Sequence, residues 1–414
     1  MHRFLKIVSL EEAKAAIGSY WRPDPRIAST RLGDAAGRVL AEDIVSKIDV
    51  PPFDRATYDG HAVKAADTFG ASEKAPKRLR RSGRLRAGQW PRSKLMSRKC
   101  VEISTGAPIP DGADAVVMYE NTSAEGARVL VNRPVAPGEN VLRKGSDIRA
   151  GQKVLKRGTV LTEVEIGAIA AVGVANVKTF ARPRVAIIST GSELVAAGRT
   201  LGRGKVYDVN GWAIAAAVRT CGAGPFYLGI VKDSAPAIKS AIDKALRLSE
   251  VVIISGGTSA GAGDLAPKIA DGMGKPGLVF HGLAMKPGKP AFAAVVRGKP
   301  IFGLPGYPVS ALMVFHQLVA GYIMELSGLS GRGGPAMQAK LAEKVILARG
   351  RRELIPVRLT GKAGAMVAKP VLKGSGAVTS LLLADGYIDA AAEREFIPEG
   401  ETVRVNLFGG WKGD

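Results

Sequence analysis

Two cysteines in 414 residues, Cys100 and Cys221, are too few and too isolated for a disulfide framework or a thiolate metal cluster. The four histidines, His2, His61, His281 and His316, are scattered. They show no zinc-ligand spacing, and no Ser/His/Asp or Cys/His triad can be read from their positions. His316, beside Leu312-Met313-Val314-Phe315, reads as a packed helix residue. No uninterrupted run of about 18 apolar residues occurs, so no membrane-spanning helix is expected. Met1-His2-Arg3-Phe4-Leu5-Lys6 lacks the apolar core of a signal peptide, and a reducing cytoplasm fits these absences. Acids are in deficit: 37 Asp and Glu stand against 59 Lys and Arg, a formal net charge of +22. That excess indicates either a polyanionic partner or a solvated basic surface. The densest basic run, Lys77 to Arg86, alternates like the wet face of a strand. No aromatic stacking platform or reader motif accompanies it, so specific nucleic-acid recognition is not expected.

A chain of this length supports several domains. Ser9 and Glu12 form a capping-box pattern, and the apolar spacings from Ser9 to about Ser46 predict helix. From Asp49 to about Asp147, prolines, glycines and short apolar runs predict a β-rich insert, after which 163–172 returns to helix. The first domain is therefore interrupted by the second. Beyond Arg184, strand-like runs at 185–188, 226–231, 251–254, 291–296 and 301–302 alternate with helical stretches near 211–220, 235–248, 265–272 and 309–326. Such a βαβ series predicts an open, mostly parallel α/β sheet. The tail, ending in the alternating run Glu401 to Leu407, predicts a small β-barrel-like domain. The expected domains are 1–46 with 148–182 (helical), 47–147 (β-rich insert), 183–328 (α/β) and 329–414 (C-terminal β).

Glycine and proline concentrate in 255–310. The apolar strand Val251 to Ile254 runs into Ser255-Gly256-Gly257-Thr258-Ser259-Ala260-Gly261-Ala262-Gly263-Asp264. Lys286-Pro287-Gly288-Lys289-Pro290 and Gly303-Leu304-Pro305-Gly306-Tyr307-Pro308 follow. A glycine loop between a strand and a helix turns backbone N–H groups toward an anion. In parallel sheets ligands bind at the strands' carboxyl ends, which here carry Thr190-Gly191-Ser192-Glu193, Asp233, the 255–264 loop and the 303–308 loop. Each loop alone is equally a tight turn, and Glu193, Asp233 and Asp264 are equally helix caps. The stretch 261–266 fits a dinucleotide fingerprint but lacks its downstream acid, and 286–290 is no Walker loop. A phosphorylated ligand with a metal ion between carboxylate and phosphate accounts for all these features together.

Pro52-Phe53-Asp54 with Asp59-Gly60, Ser104-Thr105-Gly106-Ala107-Pro108, Ser189 to Leu194, Ser255-Gly256-Gly257, Lys286 to Pro290, Gly303 to Ser310 and Gly374-Ser375-Gly376 occur in one order over nearly the whole chain. This ordered set resembles the molybdopterin molybdotransferases, the family of MoeA and the gephyrin E domain. The resemblance implies a homodimer of four-domain subunits that inserts molybdate into adenylylated molybdopterin with Mg²⁺ and releases AMP. It implies functional acids at Asp59, Asp147, Glu193, Asp233 and Asp264, with Glu193, Asp233 and Asp264 toward the metal. Ligand contacts are expected from Thr105, Thr190, Gly191, Ser255, Gly256, Gly257, Lys286, Lys289, Pro305 and Gly306, and an oxyanion pocket from Arg352 and Ser375. Ser146 departs from the family's usual acid in Arg143 to Asp147, and the 259–261 loop varies one often written with valines. The dimer is expected to share its sites between chains, with an interface near 9–46 and 163–172. A molybdopterin adenylyltransferase, itself a conceivable partner, a tungsten-inserting paralogue and a scaffold module are the alternatives.

Overall fold

The computed structural model describes residues 7–258, 265–329, 335–362, 365–372, 374 and 376–408. The chain divides into two compact units, one of residues 1–28, 37–39 and 179–414, the other of 29–36 and 40–178.

The larger unit is built on a six-stranded sheet of β1 (Arg184–Thr190), β2 (Gly224–Val231), β3 (Val251–Ser255), β4 (Gly277–His281), β5 (Phe292–Val296) and β6 (Lys299–Leu304), in the order β2-β1-β3-β6-β5-β4. The first four strands in that order are parallel. β5 runs antiparallel to β6, and β4 to β5. The expected βαβ series thus stops at β5, because only Arg297 and Gly298 link β5 to β6. Both residues have positive φ, +53° and +69°, the mark of a tight hairpin, and a parallel crossover needs a far longer link.

Alternation sends successive side chains of the central strands to opposite faces. Val185, Ile187, Val251 and Ile253 meet one helical layer, whereas Ala186, Ile188, Val252 and Ile254 meet the other. Both faces are covered, so β3 can be apolar throughout. Helices Asn210–Thr220 and Pro308–Leu326 cover the first face, and Ala235–Leu248 and Leu265–Asp271 the second. The helix Pro308–Leu326 is long and apolar enough to cross a membrane by length and composition, but Val309, Met313, Phe315, Leu318 and Ile323 make it a core element. It passes through a π-turn at Phe315–Val319.

The capping box at Ser9 and Glu12 forms, with the Glu12 N–H donating to Ser9 Oγ at 3.1 Å and the Ser9 N–H to Glu12 Oε2 at 2.7 Å. Its helix, Leu10–Gly18, seats Leu10, Ala13 and Ile17 in the α/β core. The helix expected as far as Ser46 ends there. Pro23 and Pro25 cannot continue it, and the chain goes on as a strand, Ile27–Arg31, a short 3-10 turn and the strand Ile44–Val45. The apolar spacing at 35–40 belongs to irregular backbone whose Ala35 and Leu40 are buried one by one.

At the C-terminus, strands Arg352–Thr360, Val367–Pro370, Ala336–Leu341, Thr402–Leu407 and Gly386–Ala390 pair in sequence, and the last returns to the first. The ring closes a five-stranded barrel around Leu341, Val357, Leu359 and Val405, leaving fewer free strand edges. The strand Met285–Lys286 joins its rim beside Arg352–Thr360.

The smaller unit carries a six-stranded sheet in the order Ala115–Met118, Gly60–Val63, Lys99–Ile103, Lys77–Leu85, Arg128–Val131, Thr122–Glu125. It also holds the capped helix Glu163–Ala171. The basic run is the strand Lys77–Leu85, with Leu79 and Leu85 inward and its cations outward.

Candidate functional site

Register fixes where the strand ends fall. Ser189 of β1 lies level with Ser255 of β3, and Ser255 level with Leu304 of β6. The segments that follow, Thr190-Gly191, Gly256-Gly257 and Pro305-Gly306, therefore leave the sheet at one edge. Gly256 and Gly257 have φ of +91° and +61°. A Cβ on Gly256 would stand 2.1 Å from the Thr190 carbonyl oxygen, and one on Gly257 2.8 Å from Thr190 Oγ1. The loop can lie against the end of β1 only because both residues are glycine. Thr190 Oγ1 is buried and has no hydrogen-bond partner among the described residues. An orphaned hydroxyl of this kind calls for a ligand, an ion or water.

Asn210 staples this edge together. Its Nδ2 donates to Ser255 Oγ and to the Gly306 carbonyl, both at 2.8 Å. The neighbouring Asp208 is buried, and its carboxylate accepts from Ser189 Oγ at 2.8 Å, from the Gly211 N–H at 3.1 Å and from the Tyr227 hydroxyl. Burial, then the bond to Asp208, pushes the Tyr227 phenol pKa upward, so it stays a proton donor. Asp208, Asn210 and Tyr227 escaped the sequence reading. Asp208 and Asn210 bracket a helix start, where Asp and Asn read as ordinary caps. Their second role follows from the parallel strand pair Leu194–Val195 and Val206–Tyr207, which returns the chain to the edge.

Glu193 and Asp233 follow the adjacent strands β1 and β2. Both are exposed, and neither has an ion-pair partner among the described residues. A Cβ on Gly191 would meet Glu193 Oε1 at 2.6 Å, so Gly191 makes room for that carboxylate. Among the described residues no group of three His, Cys, Asp or Glu converges as a metal cage. Two hard oxygen donors at neighbouring strand ends still suit Mg²⁺, which commonly takes one or two carboxylates and completes its shell with water and substrate phosphate. Asp264 lies outside the described residues, as does Ser375.

Lys289 is half-buried and unpaired among the described residues, a free cation at the base of its turn. Lys286 reaches Glu353 Oε1 at 2.9 Å. Arg352 is committed as well: Nε and Nη2 donate to the Asp389 carboxylate, each at 2.7 Å, and Nη1 donates to Glu11 at 2.7 Å. An oxyanion at Arg352 would compete with two carboxylates. Gly376 lies against Tyr307, whose ring would stand 3.5 Å from a Cβ added there.

In the smaller unit, Asp59 Oδ1 accepts from the Thr105 backbone N–H at 2.6 Å and from Thr105 Oγ1 at 3.1 Å. The two expected residues thus form one exposed pair. Asp147 is exposed, and its N–H donates to the Val50 carbonyl at 3.1 Å.

Three family matches tile the chain: the MoeA N-terminal region (domains I and II) over 8–173, the probable molybdopterin-binding domain over 186–325, and the MoeA C-terminal region (domain IV) over 338–408. A Mycobacterium tuberculosis protein named molybdopterin molybdenumtransferase 2 is 35% identical over 342 residues, 81% of this chain and 84% of its own. The chain belongs to the molybdopterin molybdenumtransferase family. A Haemophilus influenzae molybdopterin molybdenumtransferase is 32% identical over 91% of this chain and 93% of its own. The crystal structure of a molybdopterin biosynthesis MoeA protein from Pyrococcus horikoshii superposes with a TM-score of 0.85 at 41% identity, covering 98% of this chain and all of that one. The molybdopterin molybdenumtransferases are transferases, and the sheet edge described above lies within the part matched to their probable molybdopterin-binding domain.

Proposed function

We propose that this chain inserts molybdate into adenylylated molybdopterin, releasing AMP and the molybdenum cofactor. The observation that carries the reading is the strand edge itself. There, two glycines in left-handed backbone abut a buried Thr190 hydroxyl beside two carboxylates, all three without a partner among the described residues. The loop amides of Gly256 and Gly257 and the Lys289 ammonium neutralise the substrate's pyrophosphate. Asn210 holds the Ser255 and Gly306 loops at fixed spacing, so the edge is organised before substrate arrives. Glu193 and Asp233, with Asp264, are the oxygen donors for Mg²⁺, which when bound polarises the phosphoanhydride. Asp59 and Thr105 present a second carboxylate–hydroxyl pair, and Ser375 with Arg352 is assigned to the oxyanion, Arg352 exchanging a carboxylate for it.

This reading is preferred to adenylylation of molybdopterin because the chain also carries the MoeA N- and C-terminal regions, which the transfer of an adenylyl group does not require. We further propose a homodimer acting in a reducing compartment, where the buried thiols Cys100 and Cys221 stay free. Burial pushes the pKa of both up to about 11, so neither is a ready nucleophile.

Incubation with adenylylated molybdopterin, Mg²⁺ and molybdate or tungstate, following AMP, tests the reading. Asp233→Asn should keep the fold and lower AMP release by about 10²-fold or more, the usual scale for one lost electrostatic contributor. Turnover at the wild-type rate would remove Asp233 from the reaction, and no AMP from the unaltered protein with either oxyanion would sink the reading as a whole.

A further inference from the structure

The smaller unit holds a cleft of about 630 Å³ that the reading above does not use. It is lined by the end of the basic strand and the loop after it, notably Arg84, Gln89, Trp90, Arg92 and Lys94, and its lining contains three cations and no carboxylate. Residues 77–99 contain ten Lys and Arg and no Asp or Glu, nearly half of the chain's net +22.

Ion pairs separate structural cations from available ones. Arg81 Nη1 and Arg84 Nε approach the Glu102 carboxylate at 3.3 and 3.0 Å, and Arg78 pairs with Glu125 at 3.3 Å. Arg92 and Lys94 have no ion-pair partner among the described residues. One rigid aromatic wall stands beside them. Trp90 is 67% exposed, and its indole meets Phe53 edge to face, with centroids 5.5 Å apart at 88°.

The loop is also fixed. The Arg86 N–H donates to Gln89 Oε1 at 2.9 Å, and the Gln89 N–H returns to the Arg86 carbonyl at 3.1 Å. Leu95 is buried, and its N–H donates to the Asp111 carbonyl at 2.7 Å. The facing Gly112, at φ +86°, leaves only 2.5 Å between a hypothetical Cβ and the Leu95 carbonyl oxygen, so the two turns interlock. A pre-formed concavity of this size matches one small ligand. A single-stranded nucleic acid needs successive stacking platforms along a groove, and here there is one.

We propose that this cleft binds a small phosphorylated heterocycle, its planar ring against Trp90 and its phosphate on Arg92 and Lys94 with Arg84 behind them. Arginine and lysine supply charge-assisted hydrogen bonds to the phosphate, and the indole face supplies stacking and apolar cover. Nucleotides and phosphorylated pterins share this chemistry. The cleft shares no residue with the strand edge of the larger unit and does not depend on the proposed reaction.

The test uses the full-length protein, titrated separately with AMP, a pterin monophosphate, adenosine and inorganic phosphate, following tryptophan fluorescence and heat. AMP or the pterin phosphate should quench saturably, and which binds tighter identifies the natural source. Trp90→Phe should abolish the quench. Arg92→Ala with Lys94→Ala should weaken binding about 10- to 100-fold, the effect of losing one or two charge-assisted contacts. All three side chains are exposed, so circular dichroism should be unchanged. Lys289→Ala, at the strand edge, should leave the quench intact even if AMP release is lost, so the cleft and the proposed reaction fail independently. Unaltered affinity in the Arg92/Lys94 variant, phosphate binding as tightly as the ring-bearing ligands, or a single-stranded oligonucleotide binding more tightly with each added base would each overturn the proposal.

Discussion

Gly256 shows how far one residue type governs the strand edge. Its φ of +91° disfavours any L side chain, and a methyl group there would overlap the Thr190 carbonyl at 2.1 Å. Gly256→Ala should therefore destabilise the protein by about 2–4 kcal/mol, combining backbone strain with steric overlap. Gly306→Ala is the matched control. Its φ is not positive, and among the described residues its added Cβ would meet only the Gly256 Cα, at 4.0 Å, so the melting temperature should barely change. Thermal melts of the two variants check the contrast, and equal losses would show that the loop tolerates movement at Gly256. The sequence disclosed the glycines because their spacing after an apolar strand is local information. It could not disclose that Thr190, 66 residues earlier, is what Gly256 must clear.

At the scale of elements, the π-turn Phe315–Val319 is where the long core helix meets the barrel. Gln317 Nε2 donates to the Tyr387 hydroxyl at 3.1 Å, and the His316 ring lies between Phe315 and Phe408 at 5.5 and 5.9 Å. Burial lowers the His316 pKa from the ordinary 6.5 to about 4. Between those values the unfolded chain binds a proton that the folded chain refuses, so stability is complete above about pH 6.5 and declines as pH falls toward 4. The loss is at most about 3 kcal/mol, and less to the extent that water reaches the partly exposed ring. Denaturant midpoints between pH 7 and 4 should fall in the native protein and fall less in His316→Gln; parallel curves would exclude His316 as the source. The expectation of a packed helix histidine was right, because an apolar run surrounds it in the sequence. The π-turn was not legible, since it depends on how the helix seats against a barrel closed more than 60 residues later.

For the whole molecule, the helix Glu163–Ala171 is apolar yet buries only Ile169, leaving Val164 68% exposed. An apolar helix face in water is an interface or a liability. We expect it at the dimer contact: sedimentation should give twice the chain mass, and Val164→Glu should shift the protein toward monomer by putting a charge into an apolar contact. A monomeric native protein, or a dimer indifferent to Val164→Glu, would place the contact elsewhere. The other segment expected at that contact, 9–46, cannot serve as one helical surface. Its helix ends at Gly18 and turns Leu10, Ala13 and Ile17 into the α/β core.

Composition and pattern alone determined the α/β sheet, its order of strands and helices up to β3, the β-rich insert and the alternating last strand. These depend on periodicity within a few residues, and β3 is apolar on both faces because both faces are covered. The ordered motifs also determined the family, which the three matched regions bear out. Tertiary structure decided what hangs on distant partners. The two-residue hairpin reversed β5, and register brought Thr190, Gly256 and Gly306 to one edge under Asn210. Carboxylates took up Lys286 and Arg352, whereas Lys289, Arg92 and Lys94 have no ion-pair partner among the described residues. A cation's chemistry depends on which acid lies within about 4 Å of it, where the attraction is strongest. That distance is set by the packing of segments far apart in the chain, so no local pattern encodes it.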